Sequence, residues 1–258
     1  MQLNTSFKVD RIIAAMVFAG GIALAGYFIG NSFLKARSLD RYVIVKGLAE
    51  REVIADRAIW PITIKATGNN LNEVNDKIEL DRKIVINFLI QQGFKEEEIE
   101  IGNYLVTDLL AQAYRNNTSE AFRYIINATV ILKTSNVDLT KKVLQLQNLF
   151  VQKGVVLGPE SNSSQDYNGA FYEFTKFNEI KPEMLAEAIK NARKSAEKFA
   201  EDSGNKLGPL RKANQGVFLI SSEDGCESPD EYNNSQTAKR SVRKKIRLVT
   251  TLDYSLKD

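Results

Sequence analysis

The sequence predicts an α+β fold in which an N-terminal apolar helix precedes antiparallel sheets and three main helices. Three observations predict it. Residues 12–30 form an unbroken apolar run. The stretch 121–133 alternates, with Phe122, Tyr124, Ile126, Ala128, Val130 and Leu132 on one face and Arg123, Asn127, Thr129 and Lys133 on the other. Two longer segments, about 70–92 and 182–204, return apolar or small residues with helical spacing and close on Gly93 and Gly204.

Composition excludes much chemistry. The chain has 258 residues, 43% hydrophobic and 26% charged, enough to bury one large core or two smaller ones. Its 35 basic and 32 acidic residues leave a net charge of +3, too small and too evenly spread to make nucleic acid the partner. There is no histidine and a single cysteine, Cys226, so Ser-His-Asp and Cys-His machineries, the usual zinc sites and an intrachain disulfide are absent. No cofactor or metal is expected. Cys226 sits in the polar stretch SSEDGCESPDEYNNSQ, read as an exposed loop.

The run IIAAMVFAGGIALAGYFIG at 12–30 follows a short tail, 1–11, and precedes a linker, 31–40. As a helix it rises about 28 Å, close to the hydrocarbon thickness of a bilayer. Two readings stand: an uncleaved anchor, or a signal peptide cut after the small-x-small pattern Ala23-Leu24-Ala25. Apolar residues continue to Ile29, which favours the anchor. Lys8 and Arg11 before the run, with Lys35, Arg37 and Arg41 after it, leave its orientation undecided.

The domain expected at 41–254 opens with strands at 41–47 and 52–66, bounded by Gly47 and Gly68. Ala58, Trp60, Ile62 and Ile64 share a face there, and Pro61 asks for an edge or a bulge. Asp56 interrupts this apolar region and has two readings: a general base with a raised pKa, or an acceptor near a strand end serving backbone groups or the neighbourhood of Arg51 and Arg57. The helix at 70–92 carries a capping pair, Asn70 and Glu73, and Phe94 is placed to pack back on its last turn. Strands at 98–110 and 121–133 follow, with KEEEIE at 95–100 as a solvated corner. A helix at 137–150 and short strands at VVLGP and 170–177 complete the order β-α-β-β-α-β, a ferredoxin-like split unit. Division into lobes at 41–160 and 161–254 is compatible with this order. The helix near 182–204 carries Ala188, Ala192, Ala196 and Ala200, a row that drifts only about 40° per step and makes a narrow groove admitting another element. Its occupant is either the chain's own sheet or a neighbouring subunit. After a strand at 216–220, the last strand, 240–253, sets Val242, Ile246, Leu248 and Leu252 against Arg243, Lys245 and Arg247, a basic row that is either a solvated face or an anion-attracting surface.

Two blocks carry a family resemblance: VIVKGLAEREVIADRAIWPITIKATGNNLNEVN, and FNEIKPEMLAEAIKNARKSAEKFAEDSGNKLGPL with its exit at Gly204 and Gly208 and the terminal strand after it. Over about 40–254 the chain resembles the SIMPL-domain family of bacterial envelope proteins. The resemblance implies an exported or membrane-anchored α+β protein of poorly defined role. Some members are linked to oxidative or envelope stress, and some form ring-shaped oligomers. It carries no catalytic motif, so the expectation is a non-enzymatic, single-pass inner-membrane protein with its soluble part in the periplasm, forming a homo-oligomer. The alternative is a binding module for a small molecule or peptide, with Trp60, Tyr104, Tyr114, Phe171, Tyr172 and Phe174 as candidates to line its pocket.

Overall fold

The computed structural model describes residues 6–38, 41–111, 122–158, 169–223 and 237–257. Cys226 and Tyr114 lie outside these residues. The first helix, α1 (Ser6–Ser38), runs without interruption. Its side chains are described from Met16 to Ser32, and the large apolar ones, from Met16 to Ile29, are 60% to 73% exposed. Among the described residues no helix is long and apolar enough to cross a membrane. The span expected at 12–30 is therefore not established, since its residues 12–15 have no described side chains.

The rest is α+β with antiparallel sheets. The strands are β1 (Tyr42–Ile54), β2 (Arg57–Gly68), β3 (Ile99–Asp108), β4 (Tyr124–Thr134), β5 (Phe171–Glu173), β6 (Lys206–Asn214), β7 (Phe218–Ser222) and β8 (Arg243–Lys257). The helices after α1 are α2 (Leu71–Gln91), α3 (Val137–Leu144), α4 (Asn148–Gln152) and α5 (Phe177–Asp202). One sheet has the order β3-β4-β2-β5, the other β1-β8-β6 with β7 also paired to β8. The first is the strand order of a split βαββαβ unit: β4 lies antiparallel between β2 and β3, and β5 pairs antiparallel with β2.

Contacts divide the chain into two units, each assembled from separated stretches. The first comprises Met1–Ala49, Glu183–Val217 and Leu248–Asp258; the second comprises Glu50–Pro182 and Phe218–Arg247. The second is filled with large side chains. Trp60, Ile64, Ile78, Leu89, Ile126, Leu132 and Phe150 are fully buried, and Phe150 sits between Trp60 and Phe88 with ring centroids 6.4 and 4.7 Å away. Helix α2 presents Val74, Ile78, Val85, Phe88 and Leu89 to this core. Asn70 caps it, accepting from Asn72 N at 3.1 Å, and Phe94 is buried with its N–H bonded to Leu89 O.

In the first unit small residues line the seam between β1 and α5. In β1 the inward positions are Val43, Val45, Gly47 and Ala49, and on α5 they are Met184, Ala188, Ala192, Ala196 and Ala200. Ala192 and Ala196 share a cluster with Val45, Leu252 and Tyr254.

Several boundaries differ from expectation for physical reasons. Gly47 does not end a strand; it sits inside β1, where a side chain would collide with α5. The helix expected at 137–150 is two short helices, broken at Gln145–Gln147. Residues 170–177 supply only a three-residue strand, because α5 begins at Phe177; Pro182 is thus inside α5, just beyond its first turn. The segment VVLGP makes a single bridge, Leu157 to Ile64. Strand β6 arises where Gly208 and Pro209 suggest a helix exit; its pairing with β8 shifts register on both sides of Leu210, which accommodates the proline.

Candidate functional site

Short edge elements of the second unit build a cleft of about 360 Å³ lined by Tyr172, Glu173, Phe174, Thr175, Ile220, Ala238, Lys239 and Lys244. Register places its walls. Strand β5 pairs Tyr172 with Ala58 and Glu173 with Arg57, which turns Tyr172 inward and leaves it buried. Strand β7 contributes Ile220, and its Phe218 is held edge-to-face against Phe177 with centroids 5.0 Å apart. The lining mixes aromatic and aliphatic surface with two lysine side chains, a carboxylate and the hydroxyl-bearing Tyr172 and Thr175.

Lys244 is the unusual member. Strand alternation puts it on the inward row of β8 with Ile246 and Leu248, and it is 4% exposed. Its ammonium nitrogen donates to the carbonyls of Ala238 and Ser241, the latter at 2.8 Å. Burial pushes its pKa down from 10.5 to about 8, against the opposing pull of the Glu173 carboxylate. Buried lysines are expensive unless paired, so a lysine here stands out against the bland expectation of an apolar residue. Its signal was present in the sequence, because Lys244 has the parity of Val242 and Ile246.

Asp56 lies beside the cleft without lining it. It accepts from the backbone N–H of Thr175 at 2.8 Å and from its hydroxyl at 2.9 Å. Burial works to raise its pKa, but these two hydrogen bonds outweigh it and hold the carboxyl below the ordinary value. Of the two readings of Asp56, the structure shows the acceptor near a strand end and not the raised pKa of a general base: Asp56 is an anion that ties the turn after β5. Its hydrogen-bond partner is Thr175.

Of the aromatic residues named from the sequence, the structure brings Tyr172 and Phe174 to the cleft. Trp60 belongs to the core, and Tyr104 on β3 donates from its hydroxyl to Asn75 Oδ1 at 2.7 Å, away from it. Among the described residues no cluster of acidic or sulfur ligands is arranged to hold a metal ion.

The model of the SIMPL family, described as a protein of unknown function (DUF541), matches residues 43–247, most of the chain. The chain is a SIMPL-domain protein. No curated protein is significantly similar to it. The match spans the helix and strands that carry the other two candidate features of this SIMPL protein. Ala188, Ala192, Ala196 and Ala200 are at most 1% exposed. Their groove is occupied by the chain's own β1: a methyl group added to Gly47 would lie 2.7 Å from Ala192 Cβ and would also strike the Ala188 carbonyl. Asn191 Nδ2 donates to Leu48 O at 2.8 Å beside this contact. The basic row of the SIMPL domain is partly charge-compensated, three cations sharing two carboxylates. Lys245 Nζ is 2.8 Å and Arg247 Nε 3.5 Å from the Glu50 carboxylate, and Arg243 is 3.5 Å from Glu223. Hydrogen bonding and charge from Glu50 hold the Lys245 pKa above its ordinary value.

Proposed function

We propose that this SIMPL-domain protein is a non-enzymatic binding protein of the bacterial envelope, whose cleft takes a small molecule with an aromatic or branched aliphatic body. The cleft carries this reading. Its volume of about 360 Å³ falls within the range of small-ligand sites, and Tyr172, Phe174, Ile220 and Ala238 supply apolar surface around a few polar groups. Thr175 and Lys239 stand where a ligand's polar end would be met. The proposed setting is the inner membrane, with α1 as a single-pass anchor, the soluble part in the periplasm and a role in envelope or oxidative stress. The apolar run 12–30 supports the anchor, as do the large side chains of α1 that remain exposed along its described length.

The test is equilibrium dialysis of 2-naphthol, an uncharged and unreactive aromatic probe, against the detergent-solubilised full chain. The expected result is one site per chain, weakened at least tenfold by Ile220→Trp, which fills the cleft from a position 41% exposed. Equal binding by both proteins would show uptake by micelle or surface and refute the reading.

One observation favours a second reading, self-assembly with copies of the same chain. Strand β1 is at a sheet edge, and its outward row exposes Tyr42, Ile44 and Leu48. Light scattering on the full chain in detergent checks it: a multimer that Ile44→Glu reduces toward monomer supports assembly through this row, and an unchanged mass excludes it.

A further inference from the structure

We propose that Lys244 captures carbonyl compounds, forming an imine with an aldehyde whose apolar body fills the cleft. This rests on the cleft being a ligand site, and it goes further by giving the ligand a reactive group and the protein a residue that reacts with it.

The hydrogen bonding of the side chain is the first argument. An ammonium carries three N–H donors, whereas a neutral amine carries two and a lone pair. Nζ of Lys244 has two acceptors, the Ala238 and Ser241 carbonyls, and makes no ion pair with a carboxylate among the described residues. The two carbonyls therefore satisfy the amine fully, while the ammonium would keep one donor unmet in a site that is 4% exposed. The lone pair is left free on a residue that lines the cleft.

Environment acts in the same direction. Burial lowers the pKa to about 8, so that about a tenth of Lys244 is the nucleophilic amine at pH 7, whereas an exposed lysine is almost wholly protonated. The charged groups that line the cleft with it are Glu173 from β5, which favours the ammonium, and Lys239. Desolvated lysines of this kind are the ones suited to imine chemistry.

The step balances without an oxidant or a cofactor. The lone pair attacks the carbonyl carbon and a C–N bond forms, while the amine gives a proton to the carbonyl oxygen. The nitrogen's second proton then passes to this hydroxyl, the C–O bond breaks and the oxygen leaves as water, while the nitrogen lone pair closes the C=N bond. One aldehyde and one amine thus become one imine and one water. A protonated imine keeps one N–H for one of the two carbonyls. The reaction is reversible capture, consistent with binding without turnover.

The experiment treats the full chain in detergent with 2-naphthaldehyde and cyanoborohydride, which reduces an imine to a stable amine, and maps adducts by peptide mass spectrometry. The expected adduct is on Lys244, at least tenfold over any other lysine, rising from pH 7 to 9 and suppressed by excess 2-naphthol. Lys244→Arg should abolish it while circular dichroism reports an intact fold; Lys83→Arg, at an exposed position of α2 outside the cleft, should leave it in place. Adducts spread over exposed lysines, with Lys244 no more labelled than the rest, would overturn the proposal. If 2-naphthol still binds in that case, the cleft remains a ligand site and only the imine chemistry fails. If neither probe engages the cleft, both readings fall.

Discussion

The two units of this SIMPL protein bury their interiors by opposite means. In the first, a glycine on β1 meets alanines on α5, and closeness of backbones does the packing. In the second, rings and branched chains fill the space, with Phe150 between Trp60 and Phe88. The difference teaches what each region tolerates. A seam of small residues resists addition, because there is nowhere for a new atom to go. A core of large residues resists deletion, because nothing moves in to fill the gap. The second unit carries the cleft with the buried Lys244 on an inward strand position.

Exchange of the two kinds of substitution is the sharpest way to break this comparison. Trp60→Ala should destabilise the full chain by about 4 kcal/mol through lost burial and the cavity left behind, read by urea unfolding. Gly47→Ala should cost about 3 kcal/mol although it adds a single methyl group; a loss under about 1 kcal/mol would mean that the seam has slack. Ala192→Leu should cost about 2 kcal/mol in the monomer itself. If it instead left stability unchanged and lowered the mass of an assembly, the groove would belong to a neighbouring subunit.

Smaller effects distinguish the two titrating groups near the cleft. The folded pKa of Lys244, about 8, lies below its ordinary 10.5, so between those values the unfolded chain holds more protons than the folded one. Stability of the wild type relative to Lys244→Met should therefore rise with pH from about 8 to about 10.5, by on the order of 3 kcal/mol, and be flat below. Urea midpoints at pH 7, 9 and 10 read this directly. Asp56 has the opposite sense. Its folded pKa is lowered, so its contribution is present above the ordinary carboxylate range and is lost as pH falls through the folded value. Asp56→Asn should cost about 1 kcal/mol at neutral pH, with the difference from wild type vanishing in acid.

Much of the fold was legible because strand parity and helix period are local. The inward row of β4, Ile126, Ala128, Val130 and Leu132, and the outward row Arg243, Lys245 and Arg247 both follow from alternation alone. What was not legible depends on partners far away in sequence. The alanine row announces a groove, but Gly47, which occupies it, looks like punctuation between strands. The basic row reads as wholly solvent-facing until Glu50, brought in by β1, pairs with Lys245 and Arg247. Strand β6 hides behind Gly208 and Pro209, whose usual meaning is a break. The cleft was invisible for the same reason, since β5, β7 and the start of β8 come together only in the folded chain. Its lysine was nonetheless written in the sequence, as one charge in an apolar row.

The division of labour between the units is the central claim, and hydrogen-exchange mass spectrometry of the full chain, with and without saturating 2-naphthol, tests it most directly. The expected result is slowed exchange confined to peptides covering Phe171–Glu173, Phe218–Ser222 and the start of β8 around Lys244, with no change over Gly47 or Ala188 to Ala200. Slowed exchange at the alanine seam, or no protection around the cleft, would contradict it.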